Sequence, residues 1–446
     1  MERKQVIIAS IWVIGVFGLS QLLRLGSNLI VTRLLEPEMF GLMAVVLVVM
    51  HGLAMFSDLG LWAFIVRHKE GVDSNMLNTV WSIQVIRGWG IFIIILLLAS
   101  TIFFVKYYFE FNLNGVYGDE DFPLILIITG AVVVIRGYKT MAPAVESREL
   151  KRGKLELIEL AAQISGATVM IAWAWNNPTI WALISAGIVT SAVSLLLTYT
   201  AFPIRHQFAW NKKTVVEVYD FGKWIVLASI LTFIAAQGDR LFFGASISAR
   251  QLGIYSVAFM LANTIISVVQ QLSMKVLFPV FGRTVNRDRL NLKSAYYSAR
   301  LKLDLVVFFL AGLLLALAPV IINFLYDERY AEAGPMLQVL VFSIIGSAFS
   351  ISALECLSAL SITKIRMQVM LVRSVGLLAG LPIFFSLYGF YGALWVVTVN
   401  IWLGIPVIYW VMYKQKLFSF FSEIKMSPFI AVGYFSGLAL IGELYL

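Results

Sequence analysis

FGLMAV at residues 40–45 and LGIYSV at residues 252–257 are one word written twice, 212 positions apart. SIWVI (10–14) returns as GKWIV (222–226), and DFPLIL (121–126) returns as AGPMLQ (333–338). Trp12 is thereby paired with Trp224, Gly41 with Gly253 and Pro123 with Pro335. Loops of free length do not hold one offset from Trp12 to Pro123, so the chain is two copies of one unit. Each copy carries about six apolar runs. Internal repeats in a polytopic membrane protein mark a transporter made of two lobes with a site between them.

Composition sets the class. The 446 residues are 60% hydrophobic and 13% charged, with a mean hydropathy of +0.87. A soluble domain carries about a quarter of its residues as charges. Apolar runs of roughly 20 residues, enough to cross a bilayer, recur from end to end. The single cysteine, Cys356, excludes a disulfide framework. With three histidines (His51, His68, His206) and no Cys/His cluster, no structural metal is expected.

The apolar runs read as spans at 8–32, 38–65, 78–104, 121–146, 156–176, 179–203, 220–245, 251–281, 301–325, 333–359, 367–388 and 390–413. The expected fold is an all-α polytopic membrane protein with 12 core transmembrane helices, as two six-helix parallel repeats forming a two-lobed, V-shaped transporter. A further apolar run at 427–446 is long enough for a thirteenth helix, although it contains Glu443. Residues 1–205 form the first lobe, 206–219 a cytoplasmic linker and 220–415 the second lobe. Residues 416–446 are a linker plus the terminal run. The stretch 285–303 (VNRDRLNLKSAYYSARLKL) reads either as a basic helix on the membrane surface or as a solvated connector.

The net charge of +9 would suggest nucleic acid in a soluble chain. Its distribution points elsewhere. With a cytoplasmic N-terminus, the inner segments hold Arg3, Lys4, Arg67, Lys69, Arg148, Lys151, Arg152, Lys154, Lys212 and Lys213. Arg283, Arg287, Arg289, Lys293, Lys364, Arg366, Lys414 and Lys416 follow on the same side. Acids dominate the other side, with Glu36, Glu38, Asp119, Glu120, Asp121, Asp327, Glu328 and Glu332. This is the positive-inside pattern, so the basic excess is a topology signal and no nucleic acid is expected as partner.

An even number of helices per copy makes both copies enter from the same side, so an axis along the membrane normal relates them. Rocking of the lobes then opens the cleft to either face. Pro143, Pro279, Pro319, Pro382 and Pro406 fall within or near span ends. The glycine pairs Gly376/Gly380 and Gly433/Gly437 match the close-packing motif and are expected to serve internal packing.

Function is sought in ionisable groups that cannot reach the interface. Arg24 lies about sixteen residues, roughly 24 Å, into the first helix. Gln21, Arg24 and Asn28 share one helical face. At nearly the same depth in the equivalent helix stand Gln237, Asp239 and Arg240. An arginine at mid-membrane is costly unless it faces a wet cavity or an acid. Two readings stand: a cationic cavity for an anionic substrate, or a structural pair such as Arg24–Asp239. Arg87 and Arg136 either extend the cationic lining or snorkel to the inner interface. Asp58, at the inner end of helix 2, caps or gates there. Glu355 and Asp239 are the carboxylates suited to ion coupling or gating, or else Glu355 is a neutral acid in packing.

No catalytic constellation is present: there is no Walker A loop, no G-x-S-x-G and no H-E-x-x-H. No catalytic residue, cofactor or bound metal is expected, and the chain does not read as an enzyme.

RLGSNLIVTRLLEPEMFGLMAVV (24–46), MFSDLGLWAFIVR (55–67) and NTVWSIQVIRG (78–88) resemble the polysaccharide (oligosaccharide) flippases of the multidrug/oligosaccharidyl-lipid/polysaccharide exporter superfamily. Phe40–Gly41 and Asp58–Leu59–Gly60 match that family's turn and helix-2 closing words. The resemblance implies translocation of an undecaprenyl-pyrophosphate-linked oligosaccharide from the inner to the outer leaflet of the bacterial cytoplasmic membrane, by alternating access coupled to H⁺ or Na⁺. It implies O-antigen, capsule or exopolysaccharide synthesis, with membrane lipids, a polysaccharide polymerase and glycosyltransferases as partners. Pyrophosphate suits an arginine-lined cavity, because the guanidinium fork matches phosphate oxygens. The competing readings are a peptidoglycan lipid-precursor flippase, a cation-coupled multidrug exporter, an integral-membrane glycosyltransferase or ligase, and a non-transporting scaffold. The last would not need buried arginines.

Overall fold

The computed structural model describes residues 3–68, 71–108, 114–148 and 153–444. The Trp12 side chain, Lys69, Lys151, Arg152 and residues 445 and 446 lie outside the described residues. Among the described residues there is no strand. The helices of the first half are α1 (Arg3–Leu34), α2 (Pro37–Phe56), α3 (Leu61–Arg67), α4 (Ser74–Tyr108), α5 (Phe122–Gly137), α6 (Ala142–Arg148), α7 (Gly153–Asn176) and α8 (Trp181–Ala201). Then follow α9 (Lys212–Ser246), α10 (Ala249–Leu272), α11 (Phe278–Arg287), α12 (Leu292–Leu325) and α13 (Ala333–Ala359). The chain closes with α14 (Lys364–Leu403), α15 (Ile405–Lys414), α16 (Phe420–Ile424) and α17 (Pro428–Leu444).

The repeat is written in the helix ends. α1 stops at Leu34 and α9 at Ser246; α2 starts at Pro37 and α10 at Ala249, each pair 212 residues apart. The 3₁₀ turns Gly115–Gly118 and Glu328–Tyr330 also overlap at that offset. Glu38 and Arg250, which occupy the same position in the two copies, pair at 3.6 Å.

Among the described residues, ten helical segments are long and apolar enough to cross a membrane, or eleven when α5 and α6 count as one bent span. The expected number was twelve. Two features bear on the difference: α1 is not among the ten, and Lys364–Lys414 counts as one segment. Its 51 residues would reach about 76 Å as one straight helix, more than twice the apolar thickness of a bilayer. The segment turns back at Gly389, whose φ of 64° and ψ of −154° are open only to glycine. A Cβ on Gly380 would meet Val396 at 2.7 Å, and one on Gly404 would meet Val369 at 2.7 Å, so the two arms run antiparallel in close contact. Gly389 lies 212 residues after Asn177, the residue that follows α7.

Two expected spans are interrupted. The span at 38–65 breaks between α2 and α3, where Gly60 is left-handed (φ 66°) and its N–H donates to Asp58 Oδ1 at 3.0 Å. The span at 121–146 bends by 52° between α5 and α6, with Pro143 at the start of α6, where its missing N–H is tolerated. A broken helix frees carbonyls that must find donors in an apolar layer. Here Gln84 Nε2 donates to Gly137 O and Lys139 O, both at 2.9 Å, and Tyr199 OH donates to Tyr138 O at 2.8 Å.

The chain divides into two compact units, residues 1–230 with 243–252, and residues 231–242 with 253–446. In the first, α4 packs on α5, α7 on α8 and on α1, and α3 on α6. Residues 202–211 have no regular structure and lie along α4: Gln207 N–H donates to Asn78, Asn211 N–H to Thr79 and Ala209 N–H to Ser82. His206 reaches the bend between α5 and α6. The Met141 amide donates to its Nε2 at 3.0 Å, which leaves the ring proton on Nδ1, facing Asn78 Oδ1 at 3.3 Å.

In the second unit α13 is the central helix, with 67% of its apolar window buried. In the stretch 285–303, residues 286–291 are exposed and run from the end of α11 to α12. Residues 292–303 are the first three turns of α12, and Tyr296 and Arg300 there are fully buried. The terminal run packs as α17 along α12 through small residues. A Cβ on Gly433 would meet Leu313 N at 2.9 Å, and one on Gly437 would meet Ala316 Cβ at 2.7 Å. This is the internal packing expected of the pair, since small residues let membrane helices approach.

Two outcomes are expected. Replacing Gly433 by Leu should destabilise the protein by ~1–3 kcal/mol through overpacking, read as a lowered thermal midpoint in detergent; an unchanged midpoint would mean α17 does not rest on α12. Burial pushes the His206 pKa down to about 4, so the native protein gives up a proton that the unfolded chain, with its imidazole near ~6.5, still binds. Stability should therefore fall as pH drops from ~6.5 to ~4, and less so in His206→Gln. Equal pH profiles for the two proteins would contradict this.

Candidate functional site

The first unit holds four of the expected residues besides Asn28. Arg24 is exposed on α1, and among the described residues its guanidinium has no hydrogen-bond or ion-pair partner. One turn on, Asn28 Oδ1 is buried without a partner. Polar contact on the same helix runs from Ser20, whose hydroxyl donates to Gln163 Oε1 on α7 at 2.5 Å. Arg87 and Asp58, assigned to different tasks on sequence, are brought together: Arg87 Nη1 donates to Asp58 Oδ1 at 3.0 Å. Arg136 is exposed and donates from Nε to Ser191 Oγ at 3.2 Å.

The second unit contains Asp239, Arg240 and Glu355. Arg240 donates to Gln237 Oε1 at 2.5 Å and stands 4.2 Å over the Phe259 ring, a cation–π distance. No carboxylate lies within ion-pair distance of it among the described residues. Asp239 is 3% exposed and accepts a hydrogen bond from Tyr255 OH. Glu355 is 6% exposed and pairs with Arg366 Nη2 at 2.8 Å, while Arg366 Nε donates to Ser358 Oγ at 3.1 Å.

Asp239 and Glu355 line one cavity of about 310 Å³, together with Arg366, Arg373 and Asn400. Asn400 Oδ1 and Arg373 Nε are buried without partners there. This volume lies at the bottom of the range for small-molecule pockets, ~300–1,000 Å³. It suits an ion or a group of phosphate size and is far too small for an oligosaccharide.

Sequence reasoning missed Arg373 and Asn400 and read Arg366 as a topology charge only. Arg373 carried a signal, as a cation seven residues beyond Arg366 inside an apolar run. Asn400 carried none, because an asparagine in an apolar helix is equally at home against any polar neighbour. A second group was missed altogether: Arg300, Asp304 and Glu423 are buried together, at 0%, 0% and 1% exposure. Among the described residues no group of three or more His, Cys, Asp or Glu side chains is placed to hold a metal ion.

With this geometry in hand, similarity to known proteins becomes informative. The family described as "Polysaccharide biosynthesis protein" matches residues 30–335. The chain is 25% identical over 331 residues to the succinoglycan biosynthesis transport protein ExoT of Rhizobium meliloti (strain 1021), covering 74% of this chain and 63% of that protein. It is 26% identical over 339 residues to the lipopolysaccharide biosynthesis protein WzxC of Escherichia coli (strain K12), covering 75% and 64%. The match thus spans less than two thirds of either relative's length. Among solved structures, the lipid II flippase MurJ in an inward closed conformation superposes with a TM-score of 0.74 at 15% identity, covering 96% of this chain and 92% of that one. An inward-facing multidrug resistance MATE transporter of the MOP superfamily superposes with a TM-score of 0.61 at 14% identity, covering 96% and 95%. At such identities these likenesses show the fold: an all-α, polytopic membrane protein of the kind these transporters share.

The Asp58–Arg87 pair is open to a direct measurement. Its side chains are 49% and 26% exposed, so a double-mutant cycle with Asp58→Asn and Arg87→Gln should return a coupling of about 1 kcal/mol or less in unfolding free energy. Zero coupling would show that the two charges act separately.

Proposed function

Because the chain belongs to the polysaccharide biosynthesis protein family, we propose that it is a flippase for an undecaprenyl-pyrophosphate-linked oligosaccharide in surface polysaccharide synthesis. It works in the bacterial cytoplasmic membrane, with its N-terminus inside. The observation that carries this reading is Arg24: a guanidinium far along an apolar helix with no counter-charge among the described residues. Membrane helices do not keep an uncompensated arginine without use for it. A lipid pyrophosphate supplies the missing negative charge, and the guanidinium fork fits its oxygens. Arg240, with no carboxylate at ion-pair distance among the described residues, supports the same role in the second unit, with Asn28 adding a hydrogen-bonding group beside Arg24. Arg87 is already neutralised by Asp58, so this pair serves the helix-2 break and not the cargo. Arg136, held among the described residues by a serine hydroxyl, is a weaker member of the cationic set.

The small cavity of the second unit is the coupling site in this reading. Its two guanidiniums, Arg366 and Arg373, balance its two carboxylates, Asp239 and Glu355. A metal cation entering it would meet two fixed positive charges, whereas a proton adds to a carboxylate without needing a coordination shell. H⁺ is therefore the coupling ion and Asp239 its carrier, since Glu355 is already held by Arg366. Relatives named as transport and biosynthesis proteins support a transporter over an enzyme. The polymerase and glycosyltransferases of the same pathway are its partners.

Arg24→Ala and Arg240→Ala should each reduce surface-polysaccharide export by ten-fold or more, on the order of 1.4 kcal/mol or more of lost binding, with the protein still inserted at wild-type level. Export at the wild-type rate by both variants would sink the reading. Asp239→Asn should remove the dependence of export on the proton gradient; a dependence that survives would move the coupling site elsewhere.

A further inference from the structure

Far along the chain from these residues, the second unit buries a charged cluster for which the flippase reading has no use. Arg300 and Asp304 sit one turn apart on α12, and Glu423 sits on α16. Arg300 Nε donates to Asp304 Oδ2 at 2.8 Å, Nη1 donates to Tyr296 OH at 2.8 Å, and the guanidinium forms an ion pair with Glu423. Around Glu423, Tyr297 OH donates to Oε1 at 2.9 Å, Tyr296 OH reaches the same oxygen at 3.4 Å, and Tyr409 OH donates to Oε2. The faces of Tyr296 and Phe349 stand 5.6 and 5.5 Å from the guanidinium carbon.

The charges do not balance. The groups facing the cluster are Tyr296, Tyr297, Arg300 and Asp304 from α12, Cys356 and the Phe349 carbonyl from α13, Tyr409 from α15 and Glu423 from α16. Among the described residues, no second cation reaches it; Lys293 is exposed and donates to the Phe418 carbonyl. One guanidinium therefore faces two carboxylates in a place closed to water. A leftover charge there is strongly unfavourable and is removed by a proton in preference. The two acids differ in a way that assigns it. Both oxygens of Glu423 accept hydrogen bonds, as an ionised carboxylate requires. Asp304 Oδ1 is buried and has no hydrogen-bond partner among the described residues.

We propose that the Arg300–Asp304–Glu423 cluster is a proton-binding site, with one proton held on Asp304 Oδ1, and that this proton is what keeps the segment from Leu417 to α17 docked on α12. With it, the cluster is neutral: Glu423 pairs with Arg300, and Asp304 remains a neutral hydrogen-bond acceptor through Oδ2. Without it, α16 is held against α12 across a net negative charge. The site belongs to the second copy alone, for the positions equivalent to Arg300 and Asp304 in the first are Gly88 and Phe92. The inference is independent of the transported substrate.

The test is infrared spectroscopy of the full-length protein in detergent at neutral pH, with limited trypsin digestion at Lys414 and Lys416 as a second readout. The wild type should show the carbonyl stretch of a neutral carboxyl group, and Asp304→Asn, which keeps the shape and the neutrality, should lose that component. Cleavage of the wild type should quicken several-fold as pH is raised, while Asp304→Asn should be cleaved slowly at every pH. Loss of the component in Glu423→Gln but not in Asp304→Asn would overturn the assignment to Asp304. A component untouched by either substitution would overturn the proton site. So would cleavage that depends on sodium against choline and not on pH, since that result would mean that a metal cation fills the place.

Discussion

In an apolar layer every backbone N–H and C=O must be satisfied by the chain itself, because no water is there to do it. Most of this structure follows from that constraint. It makes the described residues helical and dictates what must accompany each break. Where α5 gives way to α6, the carbonyls of Gly137, Tyr138 and Lys139 are taken up by Gln84 and Tyr199, and the Met141 amide is taken up by His206. Where α2 gives way to α3, Asp58 receives the Gly60 amide as well as Arg87. The breaks are thus built features, each with its own polar escort.

The same constraint sorts the arginines. Arg300 is surrounded by two carboxylates, three tyrosines and two aromatic faces, and Arg87 and Arg366 each hold one acid. These serve the architecture. Among the described residues, Arg24 and Arg240 have no carboxylate within ion-pair distance, and Arg373 keeps a buried nitrogen without a partner. Compensation within the chain is what separates a structural cation from one kept for a ligand, and hydropathy does not report it.

Much of the fold was legible before any coordinates. The offset of 212 also relates the helix ends at Leu34 and Ser246 and at Pro37 and Ala249, although Pro37 itself is answered by an alanine. The apolar runs at 367–388 and 390–413 already left Gly389 between them. Less legible was the start of α12, within a stretch that reads as a basic surface helix or a solvated connector because its lysines and arginines outweigh its apolar face in a linear count. Of the residues that line one cavity with Asp239 and Glu355, Arg373 carried a sequence signal that went unread, as a cation inside an apolar run, and Asn400 carried none.

What the sequence by itself determined is the all-helical membrane class and the duplication. Those properties are carried by periodicity, hydropathy and local spacing, which involve residues within a turn or two of one another. Only the tertiary structure decided which charges meet. Asp58 and Arg87 are 29 residues apart in the chain, and Tyr296 and Glu423 are 127 apart. Such pairs depend on which helices come to lie side by side, as α17 does on α12 through Gly433 and Gly437. A lone carboxylate on an apolar helix reads the same whether its partner is an arginine, a tyrosine or a proton. That choice is made by packing, so the duplication was written in the chain while the chemistry of its buried charges was settled only when the helices came together.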